Sequence, residues 1–239
     1  MPVACFWLSP AKKKKDVART SSAQETFRAL KLARKYTGRS QIIAAKKAYH
    51  GNTMGSLSLM GLEERKAPFR PLIPDIDSIA FNSFNEIEKI TTKTAAVILE
   101  TIQGGAGFIV PEKNYLKKVK ERCSEVGALL ILDEIQPGFG RTGKWFSFEH
   151  YNCTPDILVI GKGMASGMPV GAFIASKKIM NSLKDSPKLG HITTFGGNSV
   201  IAAASLATLT ELKNTTLISQ TLEKEILFKK LLVHPLIKE

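Results

Sequence analysis

Between residues 22 and 35, Phe27, Leu30 and Ala33 recur at three-residue spacing, Ala29 and Leu32 widen the stripe, and Gly38 follows as a stop. That periodicity predicts an amphipathic helix. Short apolar runs come next, at 41–45, 78–81, 95–99, 129–135, 157–160 and 171–175. Runs this short that are apolar throughout predict strands covered on both faces of a parallel sheet. A helical pattern at 112–126 lies between two of them, with Pro111 before it and Gly127 as its stop, and two more follow at 199–212 and 217–232. The alternation of strand and helix predicts an α/β domain, a mostly parallel sheet flanked by helices. No internal repeat is present.

Composition changes this picture little. The 239 residues are 44% hydrophobic and 23% charged, which excludes disorder and collagen-like structure. The longest apolar stretches, 95–99 and 128–132, fall far short of the roughly 20 residues that span a bilayer. Residues 1–10 are mildly apolar, but the lysine run of Lys12 to Lys15 comes after them, the wrong order for a secretory leader. Cys5, Cys123 and Cys153 are odd in number and widely spaced, which suits neither a disulfide framework nor a zinc site and favours a reducing, cytoplasmic compartment.

Charge raises one further possibility. The formal net charge is +13, and residues 1–40 hold ten basic and two acidic side chains, so +8 of it lies in a sixth of the chain. A basic arm can bind phosphate backbones, but a charge run is more often a solvated tail or helix face. No zinc knuckle, aromatic RNA-binding signature or basic zipper accompanies it, so the expectation is no nucleic-acid partner.

Chemistry concentrates where apolar runs end. The third run ends in Glu100, the fourth in Asp133-Glu134-Ile135-Gln136, and the fifth in Gly161-Lys162-Gly163. In open parallel sheets ligands bind beyond the carboxyl ends of the strands. Any one of these groups could belong to an ordinary buried ion-pair network. Together, a lysine between glycines and an acid on a neighbouring strand match two requirements of pyridoxal phosphate chemistry: a Schiff-base amine, its basicity lowered by desolvation, and a partner for the ring nitrogen. Ser21-Ser22-Ala23 at a helix start offers hydroxyls and free N–H groups for a phosphate, although Ser21 taken alone reads first as a helix cap. Thr193 to Asn198, with two hydroxyls beside a glycine pair, is a second phosphate candidate. A dinucleotide-binding domain is excluded because no G-x-G-x-x-G follows a strand.

The segment from Leu132 to Gly143, with Pro155-Asp156-Ile157 and Gly161-Lys162-Gly163 after it, closely resembles the signature of class III, or ornithine-type, aminotransferases. Tyr49-His50-Gly51, Glu100 with Gln103-Gly104, and Thr193 to Asn198 resemble other blocks of that family in the same order, and the resemblance covers residues 21–239. It implies the pyridoxal phosphate-dependent transferase fold type I, built as a homodimer with shared sites. By the same resemblance Lys162 forms the Schiff base and carries the substrate proton, Asp133 pairs with the ring nitrogen, and Gln136 faces the phenolic oxygen. Ile135 and Tyr49 cover the two ring faces, with His50 beside them and Glu134 within the cofactor-binding segment. Ser22 and Ala23 contact the phosphate, as does Thr194 from the partner subunit. Glu100, Asn52 and Thr193 lie on the substrate side. No metal is implied.

The implied reaction moves an amino group from an amino acid or amine, of ornithine-derivative type, to a 2-oxo acid such as 2-oxoglutarate or pyruvate. A fragment that keeps the sheet without turnover is the alternative. Departures from the family pattern are Ser22 and Gln24 in the phosphate block, Asn52 where arginine is usual, and Gly105 where a second acid is usual. Family members are longer, so the resemblance also implies truncation at both ends. The expected division is an atypical basic segment at 1–20, a cofactor-binding large domain at 21–212, and at 213–239 a linker helix leading into a small C-terminal domain that is largely missing.

Overall fold

The structure, a computed structural model, describes residues 22–184, 187 and 193–233. The atypical segment 1–20, the Ser21 cap and the final residues 234–239 lie outside that range. The elements in chain order are α1 (Ser22–Thr37), β1 (Gln41–Ala45), α2 (Met54–Leu57), α3 (Glu63–Lys66), β2 (Ile76–Ile79), β3 (Thr94–Glu100), α4 (Tyr115–Val126), β4 (Leu129–Asp133), β5 (Ile157–Gly161), β6 (Gly171–Ala175), α5 (Lys177–Met180), α6 (Ser199–Asn214) and α7 (Thr221–Leu231).

Six strands form one sheet in the order β2-β1-β3-β4-β5-β6. The first five are mutually parallel, and β6 pairs with β5 antiparallel. Side-chain alternation divides the sheet into two faces. Ile42, Ala44, Ala96, Ile98, Leu129 and Ile131 face α1 and pack on Ala29, Leu30, Leu32 and Ala33. Ile43, Ala45, Val97, Leu99, Leu130 and Leu132 face α4 and pack on Tyr115, Leu116, Val119 and Cys123. The uninterrupted apolar runs thus have a physical cause, since every residue of β3, β4 and β5 is buried. A third cluster around Phe139, Phe146, Ile160 and Met164 takes partial cover from Ile201, Ala204 and Leu209 of α6.

Several boundaries depart from the periodicity. β6 is antiparallel, contrary to the parallel arrangement expected of it. β2 lies at 76–79 rather than 78–81, and Asp77 and Ser78 are exposed because it is an edge strand. The chain turns after Ile79, where Ala80 donates its N–H to Glu86. α4 begins at Tyr115 rather than at 112, because Asn114 is left-handed at φ 68° and cannot continue a helix. It ends as expected at Gly127, left-handed at φ 72°. β4 stops at Asp133 instead of 135, where the Asp133 carboxylate accepts the N–H of Ile135. The final helix runs over Thr221–Leu231, shorter than the expected 217–232.

The strand order reverses direction between β1 and β3: β2 follows β1 on one side, while β3, β4, β5 and β6 extend on the other. Such a switch point leaves a crevice outside the carboxyl ends of the two strands, because their connections depart to opposite faces.

Candidate active site

That crevice is a cleft of about 220 Å³ lined by Ala23, Tyr49, His50, Gly51, Asn52, Glu100, Asp133, Ile135, Gln136, Pro137 and Lys162. Ala23 comes from the start of α1 and residues 49–52 from the segment after β1. Glu100 ends β3, Asp133 ends β4, and Lys162 follows β5. Glu100 and Asp133 are register partners on adjacent strands.

Asp133 forms the floor. Its Oδ2 is 2.8 Å from His50 Nδ1, and its Oδ1 accepts the N–H of Ile135 at 3.0 Å. A carboxylate only accepts, so His50 Nδ1 carries the hydrogen. The other ring nitrogen of His50, Nε2, is buried without a partner. Glu100 accepts N–H groups on both oxygens, from Tyr49 at 3.0 Å and from Gly104 at 3.2 Å. Burial raises its pKa above the usual carboxylate range, His50 opposes the shift, and Asp133 adds to it.

On the opposite wall Lys162 donates from Nζ to Gln136 Oε1 at 2.8 Å. Its backbone φ is +33°, a left-handed value uncommon for a residue with a side chain. Such strain is often found where an active group must be held in place. Lys162 is exposed. Tyr49 and Asn52 are exposed at the cleft mouth, and Ile135 is buried.

Nine of the expected residues therefore meet in one cleft: Ala23, Tyr49, His50, Asn52, Glu100, Asp133, Ile135, Gln136 and Lys162. Four do not. The side chain of Ser22 lies outside what the structure describes. Thr193 and Thr194 are described but do not line the cleft. Glu134 is fully buried outside it, accepting bonds from Thr101, Ser147 and Phe148. Burial raises its pKa to about 7 against the pull of those three donors.

Gly51 and Pro137 join the lining although neither was a candidate in its own right. Gly51 has φ +113°, and a Cβ there would collide with Ala23, so only glycine lets α1 approach. Both residues sit inside family-like blocks, which was the signal for them. Nothing in the sequence signalled Ser147 or Phe148.

A family model described as aminotransferase class-III matches residues 10–236. The chain belongs to the class-III aminotransferase family. Among curated relatives, it is 39% identical over 226 residues to a LysW-aminoadipate semialdehyde/glutamate semialdehyde transaminase of Sulfolobus acidocaldarius, covering 95% of this chain and 58% of that protein. It is 43% identical over 224 residues to a putrescine aminotransferase of Pectobacterium atrosepticum, covering 89% and 48%. Among solved structures, an ornithine aminotransferase from Toxoplasma gondii with partial occupancy of PLP at its active site superposes with a TM-score of 0.85. The two are 30% identical, over 92% of this chain and 54% of that one. The chain spans about half the length of the relatives it matches. Its sheet is that of the fold type I transferases, mostly parallel and flanked by helices. No helix among the described residues is long and apolar enough to cross a membrane. No three His, Cys, Asp or Glu side chains among them are grouped as metal ligands.

Proposed function

We propose that this chain is the cofactor-binding part of a pyridoxal phosphate-dependent aminotransferase that moves an amino group from an amine or amino acid to a 2-oxo acid. The observation that carries the reading is the convergence of the Lys162 amine, the Asp133 carboxylate and the Gln136 amide on one cleft at the switch point.

The donor set fits the cofactor. A primary amine stands on one wall, a buried carboxylate on the floor, an amide between them and an aromatic ring at the mouth. His50 Nε2, buried and unpartnered beside the floor, leaves polar capacity unused by the protein itself. The first turn of α1 begins at Ser22 beside Ala23, and its N–H groups have no intrahelical acceptor, which suits an anion. When bound, pyridoxal phosphate supplies an electron sink for negative charge at the donor carbon.

The residues' roles follow from their chemistry. Asp133, held by His50 and Ile135, keeps negative charge on the floor for a cationic ring nitrogen. Gln136 orients Lys162 and would hold the ring oxygen, while Ile135 and Tyr49 would cover the ring. Lys162 Nζ is the base that takes the proton from the donor carbon and returns it. Glu100 and Asn52 would contact the substrate, and Ser22 and Ala23 would hold the phosphate. Thr193 and Thr194, outside this cleft, serve the site of a second copy in a homodimer. The acceptor is a small 2-oxo acid such as 2-oxoglutarate or pyruvate, and the compartment is cytoplasmic.

Adding pyridoxal phosphate to the purified chain is expected to produce a lysine-dependent absorbance band above the free-cofactor spectrum, lost in Lys162→Ala. A band unaffected by that substitution would overturn the reading. The half-length span favours one second reading, a chain that binds cofactor without turnover. Under it the band forms, but an amine donor does not change it.

A further inference from the structure

Gln136 is held from two sides, and both lead to Glu134. Glu134 Oε1 accepts from Thr101 Oγ1 at 2.7 Å and from the N–H of Phe148 at 2.8 Å, and Oε2 accepts from the N–H of Ser147 at 3.0 Å. Three donors from two separate segments thus converge on one fully buried carboxylate.

The first side is the turn that carries Gln136. Its ends are tied by the backbone of Glu134, whose N–H donates to Val159 at 2.8 Å and whose carbonyl accepts from Gly138 at 3.1 Å. Ser147, held in place by Glu134, donates its hydroxyl to the Pro137 carbonyl at 3.1 Å. The second side is the segment after β3. Thr101 starts it, and Gly104 packs so closely on the Gln136 amide that a Cβ there would stand 2.7 Å from Nε2. Besides those backbone ties, the carboxylate therefore fastens the turn bearing Gln136 through Ser147, and the backbone that Gln136 rests against through Thr101.

We propose that Glu134 is a positioning residue that acts through Gln136, fixing the amide that accepts from Lys162 without itself touching the cleft. Glutamine cannot substitute for it. An amide has one oxygen for three donors, and its NH₂ would face a backbone N–H. The step from Glu134 to Gln136 is geometric. The step from Gln136 to a bound ring rests on the function proposed above.

The test uses the 239-residue chain as wild type, Glu134→Gln and the milder Thr101→Val, which removes one of the three donors. Without cofactor, amide exchange at Ser147 and Phe148 is expected to quicken at least tenfold in Glu134→Gln, while unfolding stays cooperative. With pyridoxal phosphate, the pH midpoint of the bound absorbance is expected to move by half a unit or more in Glu134→Gln. Thr101→Val moves it less, in the same direction, and serves alone if Glu134→Gln does not fold. Unchanged amide exchange overturns the clamp. A bound band whose midpoint matches wild type in the variants overturns the positioning role, even if melting temperature falls. No band in wild type overturns the cofactor reading and this role together, and that outcome is recognised in wild type alone.

Discussion

Glu25 lies in the first turn of α1 with its side chain fully buried, Oε1 bonded to Arg28 at 2.6 Å and Oε2 without a partner. Burial raises its pKa to about 7, against the lowering effect of Arg28. Below the ordinary carboxylate value the group is protonated in the folded and unfolded chain alike, and its preference for the neutral form supports folding in full. As pH rises toward 7 the unfolded chain releases the proton first, so that support drains away and is gone above the folded value. Glu25→Gln keeps an acceptor for Arg28 and cannot ionise. Between pH 5 and pH 8 wild type is expected to lose roughly 1–3 kcal/mol relative to that variant. Urea unfolding at the two pH values checks this, and parallel stability curves would refute it. Glu25 was invisible to spacing and composition, because a lone acid in the first turn of a helix is ordinary. Asp133, Gln136 and Lys162 were legible for the opposite reason: each follows an apolar run, where an ionisable or amide group is costly to bury without a partner. Glu134 shares their segment but points the other way, because neighbours in an extended chain alternate faces. Spacing along the chain does not tell which of two adjacent acids faces the ligand.

Among the elements, α6 has the clearest local cause. Asn198 caps it, accepting the N–H groups of Val200 and Ile201 at 3.0 and 3.2 Å. Asn198→Ala is expected to cost about 1 kcal/mol in thermal unfolding, the usual value of a lost cap. No change would mean that the helix is held by packing on the Phe139 and Ile160 cluster instead. Asn198 lay inside a block read from the sequence as a phosphate candidate, and the cap is what the geometry assigns it here. The strands were legible where burial is complete, as in β3 and β4, since a short run apolar at every position needs cover on both faces. The shift of β2 and the direction of β6 were not. An edge strand is specified partly by turns such as that at Ala80, and an apolar run reads the same in either direction.

At the scale of the whole molecule, exposed apolar side chains gather on the last two helices: Val200 and Leu206 on α6, and Leu222, Ile226, Phe228 and Leu231 on α7. Large exposed apolar patches mark interaction surfaces. With the proposed homodimer, sedimentation equilibrium of the chain is expected to give twice the monomer mass at micromolar concentration. A monomer at every concentration would count against it. The antiparallel pairing of β6 bears on how the cleft is put together. Gly161 is paired with Gly171, so Lys162 sits at the base of a hairpin connection and both its flanking strands come from neighbouring chain. Asp133, Glu100 and Tyr49 reach the same cleft only through connections that cross the sheet or run over its faces. Closing a short loop costs less chain entropy than closing a long one. The amine corner is accordingly the part of the site assembled from local contacts. A lesion that loosens the crossovers takes away the acid floor and the aromatic mouth while the lysine keeps its place.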